Sequence, residues 1–222
     1  MMVTGNGYFY GEGKPLYTWY MAKYAGVDEK TGEALYYKDD KDGKTTTTTN
    51  ASEATMHLCG SALPSTYGGF GTSVEFKGFD FSMDFTYQLG GKVLDSSYMS
   101  LMGISRGAAF HADLLDAWTP TNTSSNIPRI QYGDSYAAYT SDRFLVSGSY
   151  LSLQDVNLGY TIPRTLCSKV GINKVRVYVT ATNLWLWSKR QGLDPRQSIS
   201  GSTTNAYYSP IRTVSGGLTV TF

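Results

Sequence analysis

The chain of 222 residues carries little charge. Asp, Glu, Lys and Arg together make up 17%, where a typical globular domain has about 25%. The two signs nearly cancel, at a net charge of +1. No surplus of either sign is there to recruit nucleic acid or an acidic partner. Cysteine and histidine are scarce, with two of each. No CxxC motif and no Cys/His cluster occurs, so the spacing that builds a zinc site is missing. Nothing in the sequence favours a Cys59–Cys167 disulfide over two free thiols. No apolar run approaches the roughly 18 residues of a membrane helix. The start, Met1-Met2-Val3-Thr4-Gly5-Asn6-Gly7, has neither the basic head nor the apolar stretch of a secretory leader. Taken alone, these absences describe a soluble cytoplasmic chain. What the chain does contain argues against that description.

Aromatics reach 14%, with 18 Tyr, and there are 24 Gly. Thr and Ser are abundant, while the helix formers Ala, Leu, Glu and Lys are sparse. That is the composition of an all-β protein with many turns. It also suits a surface that meets lipid.

The stretch GFGTSVEFKGFDFSMDFTYQLGG, Gly69 to Gly91, is the clearest part of the pattern. Phe70, Thr72, Val74 and Phe76 share one face of a strand. Lys77-Gly78 makes a two-residue turn, and Phe79, Phe81, Met83, Phe85 and Tyr87 share one face of the next strand. A two-residue loop sets 76 opposite 79, 74 opposite 81 and 70 opposite 85, so the apolar faces coincide. Glu75, Asp80, Ser82, Asp84, Thr86 and Gln88 take the other face.

The alternation returns three times. Val156, Leu158, Tyr160 and Ile162 alternate with Asp155, Asn157, Gly159 and Thr161. Val175, Val177, Val179 and Ala181 alternate with Arg176, Tyr178, Thr180 and Thr182, and the same parity carries Trp185 and Trp187 to the apolar side. Val214, Gly216, Leu218, Val220 and the terminal Phe222 share the last apolar face. The strands expected are near 66–77, 79–92, 147–162, 173–188 and 208–222.

Two architectures produce such strands. A soluble sandwich or curved sheet has one wet face. An outer-membrane barrel is greasy outside and polar inside, with strands of about 9–11 residues against five or six in soluble sheets. Connection lengths favour the barrel. Lys77-Gly78 and Pro163 to Ile172 are short, whereas Lys92 to Asp142 and Gln191 to Asn205 are long. Short turns on one rim and long loops on the other describe such a barrel. Within the first long loop, Ala108, Phe110, Leu114, Leu115 and Trp118 lie near helical spacing, and a short helix is expected in Gly107 to Trp118.

Several collinear segments resemble the SusC/RagA family of TonB-dependent outer-membrane transporters. They are YAGVDEKTGEALYY from Tyr24, GSALPSTYGGFGTSVEFKGFDFSMDFTYQLGGKVLDS from Gly60, and AWTPTNTSSNIPRI from Ala117. SDRFLVSGSYLSLQDVNLGYTIPRTL from Ser141 resembles the family's third-last strand, and INKVRVYVTATNLWLWSKRQGLDPR from Ile172 follows it. The resemblance implies an all-β fold, the C-terminal antiparallel strands of a barrel of about 22 strands with long extracellular loops and a short loop helix. Residues 1–65 would be mostly extracellular loop and strand ends, and 66–222 the barrel strands, with plug and TonB-contacting parts outside this chain. Leu218, Val220 and Phe222 would form the C-terminal signal read by the barrel assembly machinery.

The resemblance further implies import of oligosaccharides or peptides across a Gram-negative outer membrane, with no chemistry on the substrate and no cofactor. A SusD-like lipoprotein, TonB and outer-membrane lipid would be the partners. The polar lumen face would carry Asp80, Asp84, Gln88, Arg176 and Tyr178. Tyr98, Trp118, Tyr132, Tyr136, Tyr207 and Tyr208 in the outer loops are candidates to stack on cargo; the plainer role is to pack those loops together.

Other motifs point to structure. Asp39-Asp40-Lys41-Asp42-Gly43 fails the calcium-loop spacing, since Thr49 stands where the twelfth ligand belongs, and reads as an exposed acidic turn. His57 with Cys59, and His111 with Asp113, have no third ligand or nucleophile nearby. The alternative to a transporter is a stand-alone soluble β-rich binding module or adhesin.

Overall fold

The computed structural model describes residues 2–4, 7–167, 171–190, 192–203 and 209–222. Strands follow in chain order as β1 (Met2–Thr4), β2 (Tyr8–Tyr10), β3 (Thr18–Ala22), β4 (Tyr24–Val27), β5 (Ala34–Asp39), β6 (Thr45–Thr48) and β7 (Met56–Ser61). Then come β8 (Thr66–Phe76), β9 (Phe79–Leu89), β10 (Lys92–Leu94), β11 (Leu145–Ser147), β12 (Tyr150–Thr161), β13 (Lys174–Ser188) and β14 (Thr213–Thr221). The α-helices among the described residues are α1 (Ser96–Met102) and α2 (Arg164–Cys167). No helix among the described residues is long and apolar enough to cross a membrane, a statement that does not bear on strands.

The chain divides into two compact units that interleave in sequence. One is built from 64–90, 148–195 and 208–222, the other from 1–63, 91–147 and 196–207.

The first of these is a single antiparallel sheet in the order β14-β13-β12-β9-β8. Each strand pairs with its neighbour in chain order, so the sheet is a meander. The β8–β9 register runs from Thr66↔Leu89 to Phe76↔Phe79 and includes Val74↔Phe81 and Phe70↔Phe85, as the sequence predicts. Lys77 and Gly78 both have positive φ, 48° and 88°. That is the left-handed pair of a type I′ hairpin, whose twist matches the flanking strands. The non-glycine Lys77 therefore also takes part in the turn.

The other unit holds three small sheets, β1-β2-β3-β7, β4-β5-β6 and β10-β11. Among the described residues of 1–65, β1 to β7 are short strands of three to six residues. Tyr8, Trp19, Met21, Cys59 and Ala62 form one buried cluster, and Ala22, Ala34, Tyr36 and Ala51 a second. Met102, Leu114 and Phe144 form a third, against which Tyr98 packs. Large apolar side chains removed from water in this way contribute about 1.5–3 kcal/mol each. Trp19 donates its Nε1–H to the Lys92 carbonyl at 2.9 Å, and Tyr8 its hydroxyl to the Ser200 carbonyl at 2.8 Å.

The helix expected within Gly107 to Trp118 is only a 3-10 turn, Ala112–Asp116. His111 starts it by accepting the Asp113 N–H on Nδ1. The α-helix of this loop lies earlier, as α1. There the Asp95 carboxylate accepts the Tyr98 N–H at 2.9 Å and Met102 anchors the far end in the core. The acidic run Asp39–Gly43 makes the hairpin between β5 and β6, closed by Gly43 N–H to the Asp40 carbonyl and Asp40 N–H to the Lys44 carbonyl.

Candidate functional site

The chemistry of the five-stranded sheet is sorted by face. Cross-strand partners share a face of a sheet. Val156 is opposite Met83 and Ala181, Leu158 opposite Phe81 and Val179, and Tyr160 opposite Phe79 and Val177. Val175, Val177 and Ala181 in turn face Val220, Leu218 and Val214. The apolar residues of all five strands therefore lie on one side. They are not covered within the unit: Phe76 is 66% exposed, Val214 64% and Leu218 63%. A continuous exposed apolar surface of this kind marks contact with something other than water.

On the N-terminal side of Asp155 in β12 the pattern is kept by an irregularity. β9 passes from Asp84 to Phe85 without a break. β12 inserts Gln154 between Leu153 and Asp155, and β13 inserts Asn183 and Leu184 between Thr182 and Trp185. Asn183 takes φ 51° to make the bulge, and its amide donates to the Ile211 carbonyl at 3.4 Å. One extra residue reverses the in-out alternation of β12. Two extra residues leave that of β13 unchanged. As a result Leu153 stands between Phe85 and Trp185, and Leu151 between Tyr87 and Trp187. An aromatic row thus crowns the apolar face at one end. Phe79 and Tyr160, with ring centroids 4.4 Å apart, mark the other end.

The polar face carries the lumen candidates Asp80, Asp84, Gln88, Arg176 and Tyr178. Arg176 holds Asp80 in a two-pronged ion pair, with Nε 3.0 Å from one carboxylate oxygen and Nη2 on the other. The pair belongs to β13 and β9, and β12 runs between them. The pair closes because the intervening residue is Gly159, where a Cβ would lie 2.5 Å from the Arg176 Nη2 and both Asp80 oxygens. The Arg176 guanidinium also sits 4.9 Å from the Tyr178 ring. Tyr178 in turn lies over Gly217, and Asp84 leans over Gly71, each where a side chain would collide. Asp84 is in register with Asp155, and leaning toward Gly71 takes its carboxylate away from that second negative charge. Gln88 donates to the Gly148 carbonyl at 3.2 Å. Among the described residues no group of three or more His, Cys, Asp or Glu is placed to hold a metal ion.

No protein-family model matches the chain. Individual relatives do. TonB-dependent receptor P26 of Formosa agariphila is 32% identical over 203 residues, covering 86% of this chain and 20% of the relative. TonB-dependent receptor P3 of the same bacterium is 28% identical over 237 residues, 95% of this chain and 22% of the relative. The TonB-dependent receptor SusC of Bacteroides thetaiotaomicron is 27% identical over 141 residues, 63% and 13% of the two chains. Among solved structures, the RagAB peptide importer in its open-open state matches with a TM-score of 0.79 and 28% identity, over 100% of this chain and 24% of the matched one. The chain belongs to the SusC/RagA-type TonB-dependent receptors. It spans about a fifth of the length of the Formosa relatives. The five-stranded sheet is accordingly a sector of a TonB-dependent receptor barrel.

In this receptor segment, three of the four described loop aromatics are held by their own unit. Tyr98 donates its hydroxyl to Asp113 at 2.7 Å and packs edge-on to Phe144 and His111. Trp118 lies flat over Gly32 and donates its Nε1–H to the Glu29 carbonyl at 3.2 Å. Tyr136 packs against the Tyr36 cluster and Tyr139. Tyr132 is 62% exposed, with the Arg106 guanidinium 4.9 Å from its ring. Tyr207 and Tyr208 lie outside the described residues.

Electrostatics in this unit are local. The Lys30 and Thr31 N–H groups bond the Asp28 carboxylate at 2.9 and 2.7 Å, Thr31 most strongly, and hold its pKa below the ordinary range. Burial pushes the Tyr36 hydroxyl and the Cys59 thiol up.

Leu151 and Leu153 are the apolar-face residues that period-2 reading passes over, because they sit on the opposite parity from Val156 and Leu158. That change of parity within one apolar run is the trace the bulge leaves in the sequence.

Proposed function

We propose that this chain forms part of the wall of an outer-membrane importer driven through TonB. The reading rests above all on the five-strand sheet: one face apolar from edge to edge, the other polar, with the bulge preserving the sorting. In this arrangement lipid covers the apolar face. The aromatic row at Tyr87, Trp185 and Trp187 lies at the outer interface, and Phe222 with the Lys77-Gly78 turn at the periplasmic rim. Residues 1–65 and the connections Lys92 to Asp142 and Gln191 to Asn205 are then extracellular, the side where a SusD-like lipoprotein docks.

The polar face lines the passage. Asp80, Arg176 and Tyr178, which interlock over glycines, give it low relief, and cargo crosses without covalent change. Leu218, Val220 and Phe222 serve as the assembly signal. Cargo is an oligosaccharide or, as the name of the RagAB peptide importer says of that protein, a peptide.

Fractionation of the source cells tests the proposal. An antibody to the peptide Gly192–Thr203 is expected to detect a band well above 24.4 kDa in the outer-membrane fraction. A band near 24.4 kDa in the soluble fraction would overturn import and favour a soluble binding module.

A further inference from the structure

A cleft of about 550 Å³ opens at the hairpin end of the five-stranded sheet. That lies within the size range of ligand pockets, roughly 300–1,000 Å³. Its walls are the Lys77-Gly78 turn with the strand ends beside it, Thr161 at the end of β12, and Lys174 and Arg176 of β13.

The charges there are unevenly used. Arg176 and Asp80 neutralise each other in the pair that crosses Gly159. Glu75 stands in register with Asp80, which has already taken the guanidinium. Glu75, Lys77 and Lys174 form no ion pair among the described residues. The cleft thus holds one spare carboxylate and two spare ammonium groups. A purely anionic ligand would meet Glu75, and a purely cationic one would meet the lysines. A ligand with an anion and a cation a few atoms apart satisfies both signs.

The cleft also adjoins the apolar face. Phe76 and Phe79, the cross-strand pair beside the turn, are 66% and 55% exposed. Lys77 turns its ammonium back over the Phe76 ring, 5.1 Å from the ring centre. A positive charge is therefore held at the edge of a greasy surface. There it meets the phosphate of a lipid whose acyl chains lie against the rings.

We infer that the hairpin end of the sheet binds the headgroup of a zwitterionic phospholipid with a primary amine, of the phosphatidylethanolamine class. The inference rests on the membrane-wall reading given above. Lys77 takes the phosphate from the apolar side, and Lys174 draws it toward the cleft. Glu75 takes the ammonium across the turn, where Gly78 has no side chain to bar the way. A choline headgroup has no N–H to give Glu75, and a glycerol headgroup has no cation. Binding of this kind fixes the periplasmic rim at the depth of the lipid headgroups.

The receptor extracted from outer membranes in detergent is titrated with phosphatidylethanolamine, phosphatidylcholine and phosphatidylglycerol of identical acyl chains. Bound lipid is counted by native mass spectrometry. The ethanolamine lipid is expected to bind about three- to tenfold more tightly than the other two, the scale of one partly exposed charged contact. Glu75→Gln should abolish that preference without weakening phosphatidylglycerol. Lys77→Gln should weaken both of these lipids. Phosphoethanolamine, the headgroup without chains, should not displace the lipid even in large excess. Heat-modifiable migration on a gel, unchanged in both variants, separates loss of the site from loss of the fold. The proposal is overturned if the three lipids bind alike, if Glu75→Gln keeps the preference, or if phosphoethanolamine displaces the lipid. A soluble product in the fractionation above would overturn the membrane-wall reading as well. A receptor found in the outer membrane but indifferent to headgroup overturns this inference alone.

Discussion

Arg176 and Asp80 clasp each other across the bare backbone of Gly159. Neither residue is on a strand adjacent to the other, and the strand between them contributes no side chain at that point. The pair therefore ties three strands together. Replacing Gly159 by Ala is expected to prise it open and lower the thermal midpoint in detergent by about 2–5 °C, the scale of a modest local loss. Asp80→Ala should cost little more when added to Gly159→Ala, because the interaction is already broken. Full additivity of the two changes would show that the clasp does not depend on the glycine.

The bulge makes a pattern of accessibility that simple alternation does not. In a variant with Cys59 and Cys167 replaced, single cysteines at Leu151, Leu153, Val156 and Leu158 are expected to resist a membrane-impermeant thiol reagent. That at Asn157 should react from the polar side. Deleting Gln154 should turn residues 151 and 153 to the polar side, so that cysteines there become reactive, and should impair insertion, read as loss of heat-modifiable migration on a gel. Unchanged labelling after the deletion would count against the register described above.

Trp118 lies flat over Gly32, whose φ is 73°. A β-branched residue there suffers twice, from the left-handed backbone and from the indole. Gly32→Val is expected to destabilise the loop unit by about 2 kcal/mol or more. Limited proteolysis within 106–132 should accelerate, and Trp118→Ala should relieve only the steric part.

The Asp28 carboxylate is held low by the backbone N–H groups of Thr31 and Lys30. A depressed folded pKa means that the contribution is in full force above the unfolded value of about 3.9 and fades as pH falls through the folded value. Amide exchange at Lys30 and Thr31, corrected for intrinsic rates, should therefore lose protection below about pH 4. Asp28→Asn should remove that dependence.

Much of the sheet is legible in the sequence because one physical rule governs it. With Lys77-Gly78 as a two-residue turn, the register of β8 and β9 and the sorting of Phe79 to Tyr87 follow directly. What stays hidden depends on long-range contacts. α1 opens on weak helix formers, Ser-Ser-Tyr, and stands on its Asp95 cap and on Met102 in the core. Tyr98 looks like a free aromatic until the fold brings Asp113 to its hydroxyl. The 24–33 hairpin and the 117–130 run read as separate motifs. In the structure they bind each other through Trp118 on Glu29 and Arg129 on Thr31 and Glu33. The bulge could have been read, from the switch between Leu153 and Val156.

The loop unit draws on three separate stretches, and its hydrogen bonds set an order of assembly. Tyr8 and Ser200, 192 positions apart, meet in it, as do Trp19 with Lys92 and Ser96 with Thr203. Closing spans of that length has an entropic cost that later contacts must offset. A ribosome or translocon feeding the chain from its N-terminus delivers residues 196–203 after the other two stretches of the unit. Until they arrive, Tyr8 and Ser96 lack the partners they hold in the finished unit, which its first two stretches alone cannot close.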